Sequence, residues 1–345
     1  MKIVTLNSRI SFRRLDLRHV QSILGLIWSL DGLLQLQHVM FTRWFLSQVL
    51  TPAAANQPGF VSSPIRWSIQ LIGSHVAEWN LLFAAIQLLI GICLLGSFRV
   101  RFTLYASIIW SLVVWWLGEG LGEILTGTGT PLTGAPGAVI LYALIAVVIL
   151  AGNSSSKPLL MTTSNEMEES ASYYADSQVI GHQGWWRGNW HVCSFIGELL
   201  WSIVWILSSI FVLLPNNRKP NSISSAIELA QSGQPGWLRA FQQLGVDVSR
   251  NHGADLAIAL SGLQLIVGLG IFYKKFQPVC LLLGSVLAIM FWIFGQSLGG
   301  LLTGSATDPN TGPLLIVLGL AIGLPIPELT IQIPRQRNTT SYFSP

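Results

Sequence analysis

Apolar residues run along this chain in long blocks, without the strict alternation of half-buried strands or the narrow stripe of a surface helix. Crossing roughly 30 Å of hydrocarbon takes about 20 apolar residues in a helix. Eight blocks reach or approach that length: 20–37, 77–96, 102–121, 134–152, 193–214, 254–273, 276–296 and 312–330. Gly134-Ala-Pro136-Gly137 and Gly312-Pro313 open the fourth and eighth, as suits a helix N-terminus. Between the blocks lie two long polar segments, 38–76 and 215–253, the shorter 122–133 and 297–311, and a Ser-rich, acidic linker around 153–183. That linker has the composition of a disordered connection. The first block lacks a nearby small-residue cleavage site and has a later counterpart, so it reads as a retained helix rather than a signal peptide.

The blocks repeat. Sliding the chain against itself by 177 residues pairs Trp28 with Trp205, Gln57-Pro58-Gly59-Phe60 with Gln234-Pro235-Gly236-Trp237, and His75-Val-Ala77-Glu78 with His252-Gly-Ala254-Asp255. Gln87 meets Gln264, Gly91 meets Gly268, Trp115 meets Trp292, and Pro136 meets Pro313, in a register that needs no gap from the first helix to the fourth. Tryptophan, histidine and proline are scarce, so shared apolar composition does not produce these coincidences. The fold expected is therefore all-α and membrane-integral: eight transmembrane helices as two parallel-repeat four-helix bundles, related by an axis along the membrane normal because an even number of helices inserts each copy the same way up. The divisions are a tail at 1–19, the first repeat at 20–152, a linker and interfacial segment at 153–192, the second repeat at 193–330, and a tail at 331–345.

Composition identifies the solvent. The chain is 51% hydrophobic and 10% charged, with a mean hydropathy of +0.56, where soluble domains carry roughly 25% charged residues. Too little polar surface remains to coat a water-soluble particle, so the lipid bilayer is the expected partner. A net charge of +4 and a pI near 9.1 would suit nucleic acid. The basic residues, however, are scattered over short connections with no continuous patch, which excludes that partner. Thirteen Lys and Arg lie in the tails, the tight turns and the linker, against six in the long segments (Arg43, Arg66, Arg218, Lys219, Arg239 and Arg250). The positive-inside rule then places both termini and the linker in the cytoplasm. Trp185, Trp186 and Trp190 read as an interfacial belt before the fifth helix. Cys93, Cys193 and Cys280 lie in or beside apolar blocks, with no C-x-x-C and no C-x-x-C-H, and read as small buried residues.

Candidate chemistry gathers at the outer end of the first repeat. Asp31, Gln35 and His38 share one helix face at i, i+4 and i+7, with Asp31 about 16 Å along the helix. A carboxylate there costs about 2.5–3.5 kcal/mol on insertion scales, which makes it a functional candidate. The second copy has Ser208, Val212 and Pro215 at these places, and Gln296 and Gly300 where the first has Glu119 and Glu123. It reads as the structural half. His75 and Glu78 stand at the start of the second helix, where an acid also serves as a helix-end charge, and Gln87 lies deeper. Gly118-Glu119-Gly120-Leu121-Gly122-Glu123 closes the third helix, and its two acids share a face if that helix continues. Three readings stay open, beside a purely structural or assembly role. A metal site would use His38, His75, Glu119 and Glu123, although no H-x-x-x-H or E-x-x-H spacing is present. A quinone pocket would use Asp31, Glu119 and Glu123 as catalytic acids, with His75, Glu78, Gln87, Trp115 and Trp116 holding the cofactor and Trp28 nearby. A transport path would need polar groups in the inner half, where Glu198 is the main one.

Trp28-Ser-Leu-Asp31-Gly32, Gln57-Pro58-Gly59 and Trp116-Leu-Gly118-Glu119-Gly120-Leu121-Gly122 resemble the DoxX-like membrane proteins, which include small subunits of thiosulfate:quinone oxidoreductase; the likeness runs through each half. It implies a four-helix bundle near quinone or thiol redox chemistry, a larger redox subunit as partner, and a multi-pass place in a prokaryotic plasma membrane. The tandem arrangement departs from that pattern. So does the lack of paired cysteines, which speaks against a thiol mechanism.

Overall fold

The computed structural model describes residues 7–13, 15–154 and 190–332. Helices dominate: α1 Leu17–Leu34, α2 Gly59–Gly73, α3 Val76–Leu95, α4 Val100–Leu117, α5 Ala138–Ser154, α6 Trp190–Val212, α7 Ser222–Ala230, α8 Gly236–Ser249, α9 Gly253–Gly270, α10 Gln277–Phe294 and α11 Thr311–Ile322. One antiparallel ribbon joins β1 Asn7–Arg13 to β2 Ile326–Gln332. Five helices are long and apolar enough to cross a membrane: α3, α4, the Phe195–Val212 part of α6, α9 and α10. The Ala138–Gly152 stretch of α5 and all of α11 are apolar but shorter. α1 spans 18 residues but carries Arg18, His19, Gln21 and Asp31.

Burial explains this division. The five long helices present large apolar side chains outward, among them Leu89, Phe102, Ile109, Ile258 and Leu282, an arrangement that lipid rather than water solvates. α5 and α11 are apolar all round, and such helices are stable only when every face is covered. They lie side by side at the centre, α5 also against α6 and α11 also against α1. One core therefore runs from Leu24, Trp28 and Tyr142 through Leu318 to Trp201 and Trp205. The two sets of four helices accordingly share a single core and do not stand as separate bundles.

α1 lies antiparallel to α3. Gln21 Nε2 donates to Leu94 O at 2.6 Å, and Asn80 Nδ2 donates to Gln35 O at 2.7 Å. A Cβ added at Gly25 would stand 3.0 Å from Gly91 O, so the crossing requires residues without side-chain bulk. α6 and α9 pair in the same sense, with Trp201 Nε1 donating to Val267 O at 3.3 Å and Ser209 hydrogen-bonded to Ser261 at 2.7 Å. At the end where α1, α4, α6 and α10 finish lie the longer connections, here called the loop end. The terminal ribbon and the turn at Lys274 mark the opposite, ribbon end.

Several boundaries differ from the sequence expectation. The block 102–121 stops as a helix at Leu117, because Gly120–Glu123 forms a tight turn with positive φ at all four residues. The block 312–330 stops at Ile322, where Gly323 adopts φ 122° and the chain becomes extended. Part of each expected tail, 1–19 and 331–345, belongs instead to the ribbon, which fixes first and last elements together through backbone pairing. The long segments 38–76 and 215–253 hold α2, α7 and α8, together with short turns over His38–Ala53. α2 and α8 each leave an apolar stripe outward, Phe60, Trp67 and Leu71 in one, Trp237, Leu244 and Val248 in the other. The linker expected from 153 starts inside α5, which runs to Ser154, and Trp190 of the expected belt opens α6; the expectations for 155–183, Lys157, Trp185, Trp186 and Arg187 lie outside the described residues.

Elements and contacts recur at the 177-residue spacing. α4 and α10 begin and end at matching positions, as do the turns Gly120–Glu123 and Ser297–Gly300. Leu121 and Leu298 have φ of 57° and 56°. The register then breaks. Trp115 Nε1 donates to Pro136 O at 2.7 Å, and Trp292 Nε1 donates to Pro309 O at the same distance. Glu119 accepts from the Val139 amide and Gln296 from the Gly312 amide. Pro136 thus corresponds to Pro309, not to Pro313, and the ungapped alignment fails at the loop before the fourth helix, which is four residues longer in the first half.

Candidate functional site

A cavity of about 260 Å³ opens near the loop end among α1, α2, α3 and α4. Its walls are aromatic: Phe45, Trp79, Phe83 and Trp110 form a chain with centroid separations of 6.5, 6.1 and 5.7 Å about Phe83. Asp31 lies on its floor, 2% exposed. Tyr142 on α5 donates its hydroxyl to Asp31 Oδ2 at 2.5 Å, and its ring packs on Trp28 at 4.5 Å. Trp28 is held in turn by its Nε1 donating to Ser107 Oγ at 2.9 Å. Asp31 Oδ1, Gln35 Oε1 and Gln87 Oε1 are buried around this cavity without partners. Buried polar atoms in that state are costly unless a ligand or water satisfies them.

At the loop end the cavity meets two more acids. Glu119, just past α4, accepts from the Ala138 and Val139 amides at 3.1 and 3.2 Å, the free donors of the first turn of α5. Asp308 comes from the other half of the chain; its Oδ1 accepts from the Asn310 amide at 2.7 Å and its Oδ2 from the Thr307 hydroxyl at 2.8 Å. Burial raises the Glu119 carboxyl well above the usual carboxylate range, the Asp308 charge raises it further, and the α5 amides offset part of this. Burial likewise pushes Asp308 up, against the hydrogen bonds from Thr307 and Asn310. A second, smaller cavity of about 210 Å³ lies beyond, lined by Glu123, Thr133, Gly134 and Asn310. Both cavities share Val49, Gly118, Glu119 and Asp308. No Lys, Arg or His lines either one.

The candidates drawn from the sequence thus separate. Asp31, Gln35, Gln87, Glu119 and Trp28 converge on the larger cavity. Glu123 reaches only the smaller one and is exposed, since the turn at Gly120 ends the helix that would have aligned it with Glu119. His38, His75 and Glu78 are exposed and line neither cavity; the His75 ring is 2.9 Å from Ser74 Oγ. Trp115 is committed to Pro136 O, and Trp116 points outward, 42% exposed. His75, Glu78, Trp115 and Trp116 are therefore not placed to hold a cofactor in the cavity. The metal set His38, His75, Glu119 and Glu123 does not assemble. Among the described residues no three His, Cys, Asp or Glu side chains are grouped to hold an ion. Glu198 lies at the ribbon end, bound to Lys274 Nζ at 2.6 Å and Gln277 Nε2 at 2.8 Å.

Two contributors escaped the sequence reading. Tyr142 is the lone phenol in an otherwise apolar fourth block, a signal that was present but unused. Asp308 sits in a turn of the half taken as structural. Comparing the two copies for acids present only in the second returns it together with Glu198, Glu228, Asp247 and Glu328, so the sequence does not single it out. A third cavity, of about 480 Å³, occupies the corresponding place in the second half. There Val212, Leu260, Phe291 and Gly295 stand where Gln35, Phe83, Val114 and Gly118 line the first, and no acid lines it. No family model, curated protein or solved structure matches this chain.

Proposed function

We propose that this chain is a multi-pass membrane protein of eight spanning helices, a tandem duplication of a DoxX-like four-helix unit, that binds the head group of a lipid-borne quinone in its first-half cavity. One observation carries the reading: an aromatic cavity holds a buried carboxyl with a free oxygen, and its rim opens onto lipid-facing surface. Trp67, Leu71 and Val113 line the cavity and are 61%, 42% and 42% exposed, so the mouth adjoins the apolar exterior. A head group of this class offers carbonyl or hydroxyl oxygens to Asp31 and Gln87 and a flat ring to the aromatic wall, while its tail leaves through the mouth. Electrons would be exchanged with a larger redox subunit, which makes this chain an accessory component of a prokaryotic plasma-membrane assembly. The transporter alternative needs polar groups leading on toward the ribbon end, and the cavity lining supplies none beyond Asp31 and the glutamines.

Tryptophan emission tests the proposal directly, because Trp28, Trp67, Trp79 and Trp110 line the cavity. A short-tailed quinone titrated into the protein in mild detergent should quench it saturably. Asp31→Asn should weaken binding by about 10–100-fold, the equivalent of about 1.5–3 kcal/mol for a hydrogen bond to a charged or strongly polar buried group. Linear, non-saturating quenching that is the same in Asp31→Asn would rule the quinone site out. Substrate-dependent uptake by proteoliposomes holding this chain alone would favour the transporter.

A further inference from the structure

The two joined cavities give the site a second exit, opposite in character to its apolar mouth. Asp31 is 2% exposed, and among the described residues Oδ1 has no partner and Tyr142 is the one hydrogen-bond donor to its carboxyl. The charged or titratable groups facing it are Tyr142 from α5, Glu119 from the end of α4 and Asp308 from the loop before α11. No cation lines either cavity. Asp31 is buried and Glu119 and Asp308 are half-buried; with no counter-ion among their cavity neighbours, ionising all three is costly, so a proton stays on the cluster, at the buried Asp31 first. Glu119 and Asp308 belong to both cavities. They stand between the floor carboxyl and a space bordered by Thr133, Gly134 and Asn310 at the loop end.

We propose that Glu119 and Asp308 form a proton outlet that connects Asp31 with water at the loop end, completed by an acid supplied from the second half of the chain. Asp31, protonated at rest, first passes its proton to the Glu119 or Asp308 carboxylate, which loses it to water in the outer cavity. The Asp31 carboxylate so formed then takes a proton from a ligand hydroxyl at Oδ1. Each step breaks one O–H bond and forms another, and no electron moves. The purpose of the outlet rests on the ligand site proposed above, but its operation does not. The second half is the built-in contrast: Ser208 and Gln296 replace Asp31 and Glu119, and its cavity has no acid to relay a proton.

Infrared spectroscopy of the full-length protein in lipid vesicles tests the outlet without any quinone. The carbonyl stretch of protonated Asp31 is the band lost in Asp31→Asn, and it shifts when the proton exchanges for deuterium. After transfer to D₂O the wild type should exchange promptly, and the Glu119→Gln/Asp308→Asn double variant should slow by an order of magnitude or more. Glu119→Gln alone, whose Oε1 can keep the Val139 amide as Gln296 Oε1 keeps the Gly312 amide, should show an intermediate rate and guards against loss of fold. Exchange at the wild-type rate in the double variant overturns the proposal. So does the absence of any protonated band that disappears in Asp31→Asn.

Discussion

At the level of single residues, the cost of burying charge makes the site legible and also limits what can be read. Asp31 and Glu119 declare themselves in the sequence because acids in or beside membrane helices are expensive. His75 and Glu78 look equally suggestive, yet the fold leaves both exposed, and one-dimensional spacing does not distinguish an acid facing a cavity from one facing solvent. Tyr142→Phe removes the donor to Asp31 Oδ2 and leaves a second carboxyl oxygen unsatisfied. It should destabilise the protein by about 1–3 kcal/mol, read as a lowered melting temperature in detergent, while Asp31→Asn combined with Tyr142→Phe should cost less than the two changes summed. Glu119 gives a prediction with a sign. Its folded-state affinity for a proton is raised by burial and Asp308, so the stability it contributes is complete at acidic pH and lost as pH climbs through the raised value. Glu119→Gln should therefore match wild type near pH 4 and melt higher than wild type at alkaline pH. A difference that grows toward acid would contradict the assignment.

Among the elements, the most informative is the turn that follows α4 and recurs after α10. The sequence places the close of the third helix in Gly118–Glu123 and aligns its two acids only if that helix continues; it stops at Leu117, so they part. Backbone geometry explains why the helix stops. A Cβ at Gly122 would collide with the Pro136 carbonyl, and one at Gly299 with the Pro309 carbonyl, at φ of 60° and 68°. Gly127 and Gly304, both at φ 74°, have open space around them. Gly127→Ala and Gly304→Ala should accordingly cost only the left-handed penalty of about 1–2 kcal/mol. Gly122→Ala and Gly299→Ala should cost more and displace the loop that positions Glu119 or Gln296. Melting temperatures of the four variants check this ordering. The same loop hid the four-residue difference between the halves, since Pro313 offers a plausible partner for Pro136 in sequence and only the tryptophan hydrogen bonds identify Pro309. Amphipathic α2 and α8 were unread for a simpler reason: they are short and lie in segments whose average character is polar.

For the molecule as a whole, hydropathy locates apolar helices but not their arrangement: five are long enough to cross a membrane and two more are apolar but shorter. Block length alone does not reveal that α5 and α11 form a shared centre, because a short central helix and a short spanning helix have the same composition. Loops cross between the halves as well. Gln37 Nε2 donates to Ala306 O at 3.2 Å, Asn217 Nδ2 to Gly129 O at 3.4 Å, and Gln296 Nε2 to Pro131 O at 2.9 Å. Residues 1–165 and 166–345 made as separate chains should therefore co-purify from one cell, with each much less stable alone; independent recovery of both would contradict the continuous core. In a cysteine-free background, the orientation proposed from charge makes a cysteine at Thr128 react with an impermeant reagent on intact cells and one at Lys274 stay protected. The reverse pattern would invert the protein.

The crossed loops bear on ancestry. On the duplication proposed here, a chain holding one unit could finish its cavity only by borrowing the loop of a second identical chain. In such a homodimer any acid gained or lost would appear in both cavities at once. Joining the units in one polypeptide removes that coupling, because the loop that serves the first cavity is encoded separately from the loop that serves the second. Asp308 could then arise beside Glu119 while the opposite cavity lost its carboxyls. On that proposal, fusion is what would permit one half to specialise, and the neutral cavity between α6, α9 and α10 would mark the half released from that constraint.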